Sequence, residues 1–240
     1  MDATYRFPGL KNKAITFSFD DGVTQDKRLI EILDKYQLKC TFNINSELLG
    51  TPNYLDIRGK KIAHNKVQPH EVAELYKNHE VAVHTLTHIR LPGCEDDNEV
   101  IRQVEQDRLN LSKLVGYDVI GMAYPCGGVN NDERVARLIQ NHTGVQYVRT
   151  ITTTNTFDFQ DDLYRFNPTV HSFDKEARME MAETFLNLSP EKPVLFYIWG
   201  HSYEFDIDDS WDEFEEFCKF ISGREDVFYG TNKEVFGLGW

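Results

Sequence analysis

The stretch ITFSFDDG, Ile15 to Gly22, runs an apolar, β-branched and aromatic segment straight into two adjacent carboxylates, Asp20 and Asp21. Alternating Ile, Thr and Phe read as a buried strand. Neighbouring acids repel each other and are costly to take out of water. A chain that only had to turn here would manage with one Asp and a Gly. Two acids at the end of a buried strand therefore need a chemical reason.

The rest of the chain shows what kind of sheet that strand belongs to. KCTFNI (39–44), EVAVH (80–84), VIGMAYP (119–125), QYVRTI (146–151), VLFYIWG (194–200) and DVFYG (226–230) have the same character. VLFYIW is apolar throughout, as expected of a strand covered on both faces. Between these runs lie segments of helical periodicity at 24–37, 69–79, 98–116, 131–142, 174–188 and 210–222. In the first, Leu29, Ile32, Leu33 and Tyr36 fall on one helical face. Strand–helix alternation predicts an α/β fold with a parallel sheet and right-handed crossovers, either doubly wound or closed into a barrel. Nothing divides the chain, so one domain over 1–240 is expected. The stretches Leu49 to Val67 and Ile151 to His171 fit neither element and are expected to be loops. Ligands in such folds sit at the C-terminal ends of the strands.

Totals exclude some classes of function. With 26 Lys plus Arg against 39 Asp plus Glu, the net charge is −13, which disfavours a nucleic-acid partner. No apolar run approaches the ~20 residues of a membrane span. MDATYRFPGLKNK lacks a basic segment followed by an apolar one, so no signal peptide is visible. Cys40, Cys94, Cys126 and Cys218 are widely spaced and form no CxxC pair. Reduced thiols and a cytoplasmic location are expected; the alternative is a secreted domain whose leader has been removed. The oligomeric state is left open.

Four polar clusters follow predicted strands: FDDG, HTLTH (84–88), YPCGG (124–128) and GHSYE (200–204). They would gather around one pocket. His84 and His88, four apart, can share one face of a helical turn and hold one metal; a nearby carboxylate would be the third ligand. Two His and one acid, with a position left for water or substrate, suit a catalytic divalent ion. Zinc fits that set, as do cobalt, nickel, manganese and iron. One aspartate would then ligate the ion and its neighbour act as a base on water.

FDDG, HTLTH, YPCG and WGH together resemble the NodB-homology polysaccharide deacetylases, carbohydrate esterase family four, in order from Ile15 to His201. The resemblance implies an irregular (β/α) barrel of about seven strands. It implies removal of acetyl groups from a carbohydrate, N-acetyl or O-acetyl, with metal-bound water as nucleophile. By position, Asp20 corresponds to the base, Asp21, His84 and His88 to the metal ligands, and His201 to the acid that protonates the leaving group. The third family motif aligns with Tyr124, Pro125 and Cys126, and the Cys126 N–H would be the oxyanion donor. Ala123 stands where that motif has an arginine orienting the base, and Cys126 where it has a tyrosine. A bidentate arginine from another loop is therefore expected on Asp20, Arg165 first and Arg149 second. Asp158, Asp161 and Asp162 are candidates for a further family motif, and Tyr164 or Trp199 for a sugar platform.

Blander readings stand beside these. FDDG alone is a strand-to-helix turn with a cap, and Trp199 alone is a packing residue. His64, His70, His79, His142 and His171 receive no role. The acidic runs at 94–97 and 206–216 read as solvated faces and helix starts. Two other functions remain open: hydrolysis of a cyclic amide or imide, and sugar binding without catalysis.

Overall fold

The structure is a computed structural model that describes residues 7–238. Its strands are β1 (Lys13–Asp20), β2 (Cys40–Ile44), β3 (Tyr54–Ile57), β4 (Lys60–Ala63), β5 (Glu80–Val83), β6 (Gly121–Ala123), β7 (Tyr147–Arg149), β8 (Val170–His171), β9 (Val194–Gly200) and β10 (Val227–Tyr229). The α-helices are α1 (Asp26–Lys35), α2 (Val72–Leu75), α3 (Asp97–Val115), α4 (Glu133–His142), α5 (Lys175–Asn187), α6 (Glu204–Ile207), α7 (Trp211–Ile221) and α8 (Asn232–Val235). Each of the seven sequence-predicted strands is present.

Seven strands follow the order β7-β6-β5-β2-β1-β9-β8, and every pairing between neighbours is parallel. β10 takes the start of β1 (Lys13–Ile15), on the edge that β2 leaves free by pairing only from Phe17 onward. The sheet curls towards closure. Phe166 bridges Arg149 at the end of β7, and five residues later His171 pairs with Trp199 of β9. The segment between thus spans the gap between the two edges, as the barrel expectation requires.

β1 is buried along its whole length. Its Phe17 and Phe19 pack against Phe214 of α7, with ring centroids 6.3 and 6.1 Å away. Leu29, Ile32 and Leu33 of α1 are buried as their spacing predicts. Asp96, Asp132 and Asp174 cap α3, α4 and α5 by accepting backbone N–H bonds, which explains why these helices start where they do.

Two expectations need correction. The segment 49–67 is not a bare loop. It carries the β3–β4 hairpin, turning on Arg58 and Gly59, both with positive φ (53° and 75°). Leu55, Ile57 and Ile62 do alternate with exposed neighbours, but each strand is only four residues long, too short for the alternation to stand out. The helix expected to reach His79 ends at Leu75, because the chain turns to bury Tyr76 against Phe42, centroids 4.7 Å apart, before entering β5. The 151–171 stretch is largely irregular as expected, apart from a short 3-10 turn and β8 at its end. Among the described residues no helix is long and apolar enough to cross a membrane.

Candidate active site

The strand ends bring Asp20, Asp21, His84, His88, Tyr124, Cys126, Trp199 and His201 around one cavity of about 250 Å³, with Gly127, Ile151 and Tyr203. Asp20 ends β1, and Asp21 leaves the strand with φ 84°. That left-handed turn lets two consecutive side chains serve the same cavity, which an unbroken strand would point to opposite faces. The turn needs Gly22 next: its φ is 59°, and a Cβ there would lie 2.6 Å from Ile44 Cγ2.

Asp21 is buried, and its two oxygens differ. Oδ2 accepts from His64 Nε2 at 3.1 Å. Oδ1 has no hydrogen bond; it lies 3.3 Å from His88 Nε2, 3.6 Å from Lys66 Nζ and 3.8 Å from His84 Nε2. His84 Nδ1 sits 2.8 Å from the Ala123 carbonyl oxygen, so it carries the proton and leaves an Nε2 lone pair facing Oδ1. Burial pushes the His84 pKa down to about 4 and keeps the ring neutral. Oδ1 and the His84 Nε2 lone pair face each other with no hydrogen bond between them, an arrangement that a cation shared by both would relieve. Asp21, His84 and His88 therefore fit a divalent ion, their ligand atoms all lying within 4.8 Å of one another.

The two histidines do not share a helical turn. Thr85 and His88 have φ of 65° and 59°, and the chain from 84 to 88 is a loop. Asn45 ties it down, donating from Nδ2 to the carbonyls of His84 (2.5 Å) and Thr85 (2.9 Å). Positive φ at a β-branched threonine is a strained conformation of the sort found where a site over-determines its backbone.

Asp20 is held by Arg149, whose Nη2 lies 2.5 Å from both carboxylate oxygens, and by Asn43 Nδ2 at 2.8 Å. Arg149 is fully buried, with Nε on Ser18 Oγ (3.1 Å), Nη1 on the Thr150 carbonyl (2.9 Å) and its guanidinium 4.6 Å from the Trp199 ring. Burial alone would raise the Asp20 pKa, but Arg149, His84 and His201 together hold it below the usual value. Arg165, the first candidate for this contact, is not there: half-exposed, it bonds Asp162 Oδ2 through Nε at 3.0 Å. Nor is the contact a two-nitrogen fork, since a single Nη2 spans both oxygens.

His201 stands beside Glu204. Nδ1 is 3.3 Å from Glu204 Oε1, and the His201 backbone N–H donates to Oε2 at 3.0 Å. Burial disfavours the charged ring, yet Glu204, with Asp21 and Asp20, raises its pKa to about 9. His171 reaches the same carboxylate, Nε2 to Oε2 at 3.5 Å, while its Nδ1 accepts from the Phe173 N–H at 3.3 Å. That contact places the His171 proton on Nε2, facing Glu204, so the group reads as a hydrogen-bond chain and not as a second cation site.

Residues 8–148 match the family model for polysaccharide deacetylase. The chain belongs to the polysaccharide deacetylase family. Its fold is shared with several solved structures. A family 4 carbohydrate esterase from Streptomyces lividans, solved with acetate, is 12% identical with a TM-score of 0.58, over 95% of this chain and 96% of that one. A family 4 acetyl xylan esterase from Clostridium thermocellum, solved with a cobalt ion, is 13% identical with a TM-score of 0.58, over 95% and 93%. The peptidoglycan deacetylase PdaC from Bacillus subtilis is 19% identical with a TM-score of 0.55, over 94% and 91%. No curated protein matches the chain in sequence.

In this deacetylase-family chain the third motif is built differently around Ala123. Ala123 is buried, and only its carbonyl serves the site, through His84. Tyr124 is buried and directs its hydroxyl away to the Tyr164 carbonyl, 2.9 Å. Pro125 is buried; Cys126 adopts φ 69°, with its thiol 3.5 Å from the His88 carbonyl oxygen. Asn130 Nδ2 bonds the Tyr124 and Cys126 carbonyls at 3.1 and 3.0 Å, which pins this loop. Asp161, Asp162 and Tyr164 do not join the site but line a different surface cavity with Arg165, and Asp158 is exposed and bridges Val194. Of the two platform candidates only Trp199 lines the site. His64, His171, Glu204 and Asn43 had no assigned role in the sequence reading. Only Glu204 carried a signal, its i+3 spacing from His201. All four cysteines are free thiols.

Proposed function

We propose that this chain hydrolyses acetyl groups, N-acetyl or O-acetyl, on a carbohydrate, with a divalent ion held by Asp21, His84 and His88. One observation carries the reading: an unbonded ligand oxygen facing two imidazoles, a carboxylate clamped by arginine, and a carboxylate-backed histidine share one cavity. Zinc is the first candidate for the ion, with cobalt, nickel, manganese and iron as alternatives. When bound it would polarise the acyl carbonyl and acidify water.

The chain's own residues do the rest. Asp20, ionised at neutral pH and oriented by Arg149 and Asn43, takes a proton from the attacking water. The Cys126 N–H donates to the oxygen that becomes negative in the tetrahedral state. His201, its Nδ1 engaged by Glu204, presents Nε2 to the leaving nitrogen or oxygen and delivers a proton. Trp199 and Tyr203 wall the cavity where the sugar ring would lie. An amide needs the His201 proton more than an ester does, because an amine is the poorer leaving group.

Acetate release from acetylated oligosaccharides, measured after chelation and after return of Zn2+ or Co2+, tests the reading. Metal-restored acetate release is expected. Ring opening of cyclic amides without acetate release, or sugar binding without turnover, would replace it.

A further inference from the structure

The β3–β4 hairpin delivers two polar side chains to the cation-site aspartate. Beyond β4 the chain from His64 to Val67 is stitched to the turn after Asp21. Thr24 N–H donates to the Asn65 carbonyl at 2.8 Å, and Val67 N–H to the Gly22 carbonyl at 3.0 Å. Lys66 is buried, and its Nζ donates to the Asp21 carbonyl at 2.6 Å, bracing the left-handed backbone from outside. His64 is buried too, edge-on to Tyr203 with centroids 5.0 Å apart, and its Nε2 meets Asp21 Oδ2.

The Asp21 carboxylate can only accept, so His64 donates from Nε2. That contact occupies Oδ2 and leaves Oδ1 to face His84 and His88, with the Lys66 ammonium 3.6 Å away on its other side. Without it, the carboxylate is free to rotate about its last torsion, a broad one for Asp, and the ligand set loses its convergence.

We propose that His64 is a positioning residue for the cation, fixing Asp21 as a one-oxygen ligand, and that the β3–β4 insert exists in this chain as the clamp on that site. The inference rests on the cation reading of Asp21, His84 and His88, but not on any substrate. Partners that orient metal ligands typically contribute about 10–100-fold in affinity.

The test is Zn2+ and Co2+ affinity alone, by competition with a chromophoric chelator and without substrate. His64→Phe keeps a ring against Tyr203 and removes the donor; His64→Gln keeps an amide donor. His64→Phe should bind both ions about 10–100-fold more weakly, and His64→Gln should recover most of that loss. The metal-free urea midpoint, followed in parallel, should fall in His64→Phe, which leaves a buried carboxylate oxygen without its donor, and less in His64→Gln, so affinities are compared well below both midpoints. Unchanged affinity in His64→Phe, or an equal loss in both variants, would overturn the clamp. Absence of any Zn2+ or Co2+ binding in the wild type would overturn the cation reading instead, and absence of acetate release bears only on the substrate.

Discussion

Arg149 Nη2 lies 2.5 Å from both oxygens of Asp20, although the two residues are 129 positions apart and each is almost completely buried. A carboxylate at the end of a buried strand is held as an anion chiefly by this guanidinium, with His84 and His201 adding to it.

Removing that partner should therefore be severe. Arg149→Met is expected to cost about 3–5 kcal/mol of stability, since it strands a buried charge, and to abolish turnover. Arg165→Ala, at an exposed pair, should change stability by less than about 1 kcal/mol and leave turnover intact. Urea unfolding and initial rates measured side by side decide it. The opposite ranking would mean that Arg165, and not Arg149, orients the base.

The proposed base and the proposed metal ligands can be separated. Asp20→Asn should keep Zn2+ affinity within a few-fold and lose about 10²–10⁴ in rate, the scale of a positioned proton-transfer group. His84→Ala should fold yet lose the ion. Elemental analysis of both variants is the measurement; equal metal content in the two would refute the division of labour.

The pH dependence follows from His201. Its folded pKa is about 9 against an ordinary 6.5, raised by Glu204 against the opposing effect of burial. A raised histidine stabilises the fold fully below its unfolded pKa, and that contribution fades as pH climbs through the folded one. Stability from this pair should thus decline between pH 6.5 and about 9. As a proton donor, His201 should also hold activity into the alkaline range. Glu204→Gln should flatten that stability loss and move the alkaline limb of the rate profile to lower pH. A limb that stays put in the variant would remove Glu204 from the acid's environment.

Asp26 gives the same sign in a lower pH window. Burial raises its pKa from 3.8 to about 7, with Tyr76 and Ser202 hydroxyls donating to it at 2.7 and 2.6 Å. The unfolded chain gives up this proton first, so stability falls as pH rises from 3.8 to about 7. Asp26→Asn should gain stability relative to the wild type at pH 8 and little at pH 4. Equal effects at the two pH values in chemical denaturation would contradict the assignment.

Gly22 is a structural requirement of the turn that aims Asp21. Gly22→Ala should lose about 2–4 kcal/mol through left-handed strain and overlap with the Ile44 side chain. A midpoint shift of less than about 0.5 kcal/mol would show that the turn can relax.

Much of this protein is legible along the chain because its signals are local. The apolar runs and 3.6-residue periodicities specify strands and helices, and their alternation specifies a parallel sheet. Strand-end polar clusters then locate the site, since side chains just past parallel strands share one rim. FDDG and HTLTH were readable for that reason, while the choice of Asp21 over Asp20 as the partner of His84 and His88 came from the family resemblance.

What only the tertiary structure decided are the contacts between segments far apart in sequence and weak in pattern. Arg149 sits at the end of a three-residue strand, where neither alternation nor propensity says which way its side chain points; closing the barrel turns it inward onto Asp20. Arg165 has the same residue type in a more plausible loop, but satisfies its charge locally on Asp162. The His84–His88 spacing looked helical, while the real convergence comes from positive-φ turns that Asn45 stabilises from another strand end. His64 lies beyond a hairpin whose strands are too short to show a pattern, and its hydrogen bond to Asp21 exists only because that hairpin folds back over the strand end. Periodicity encodes which face of an element is buried; it carries no term for which distant partner a buried polar group will find.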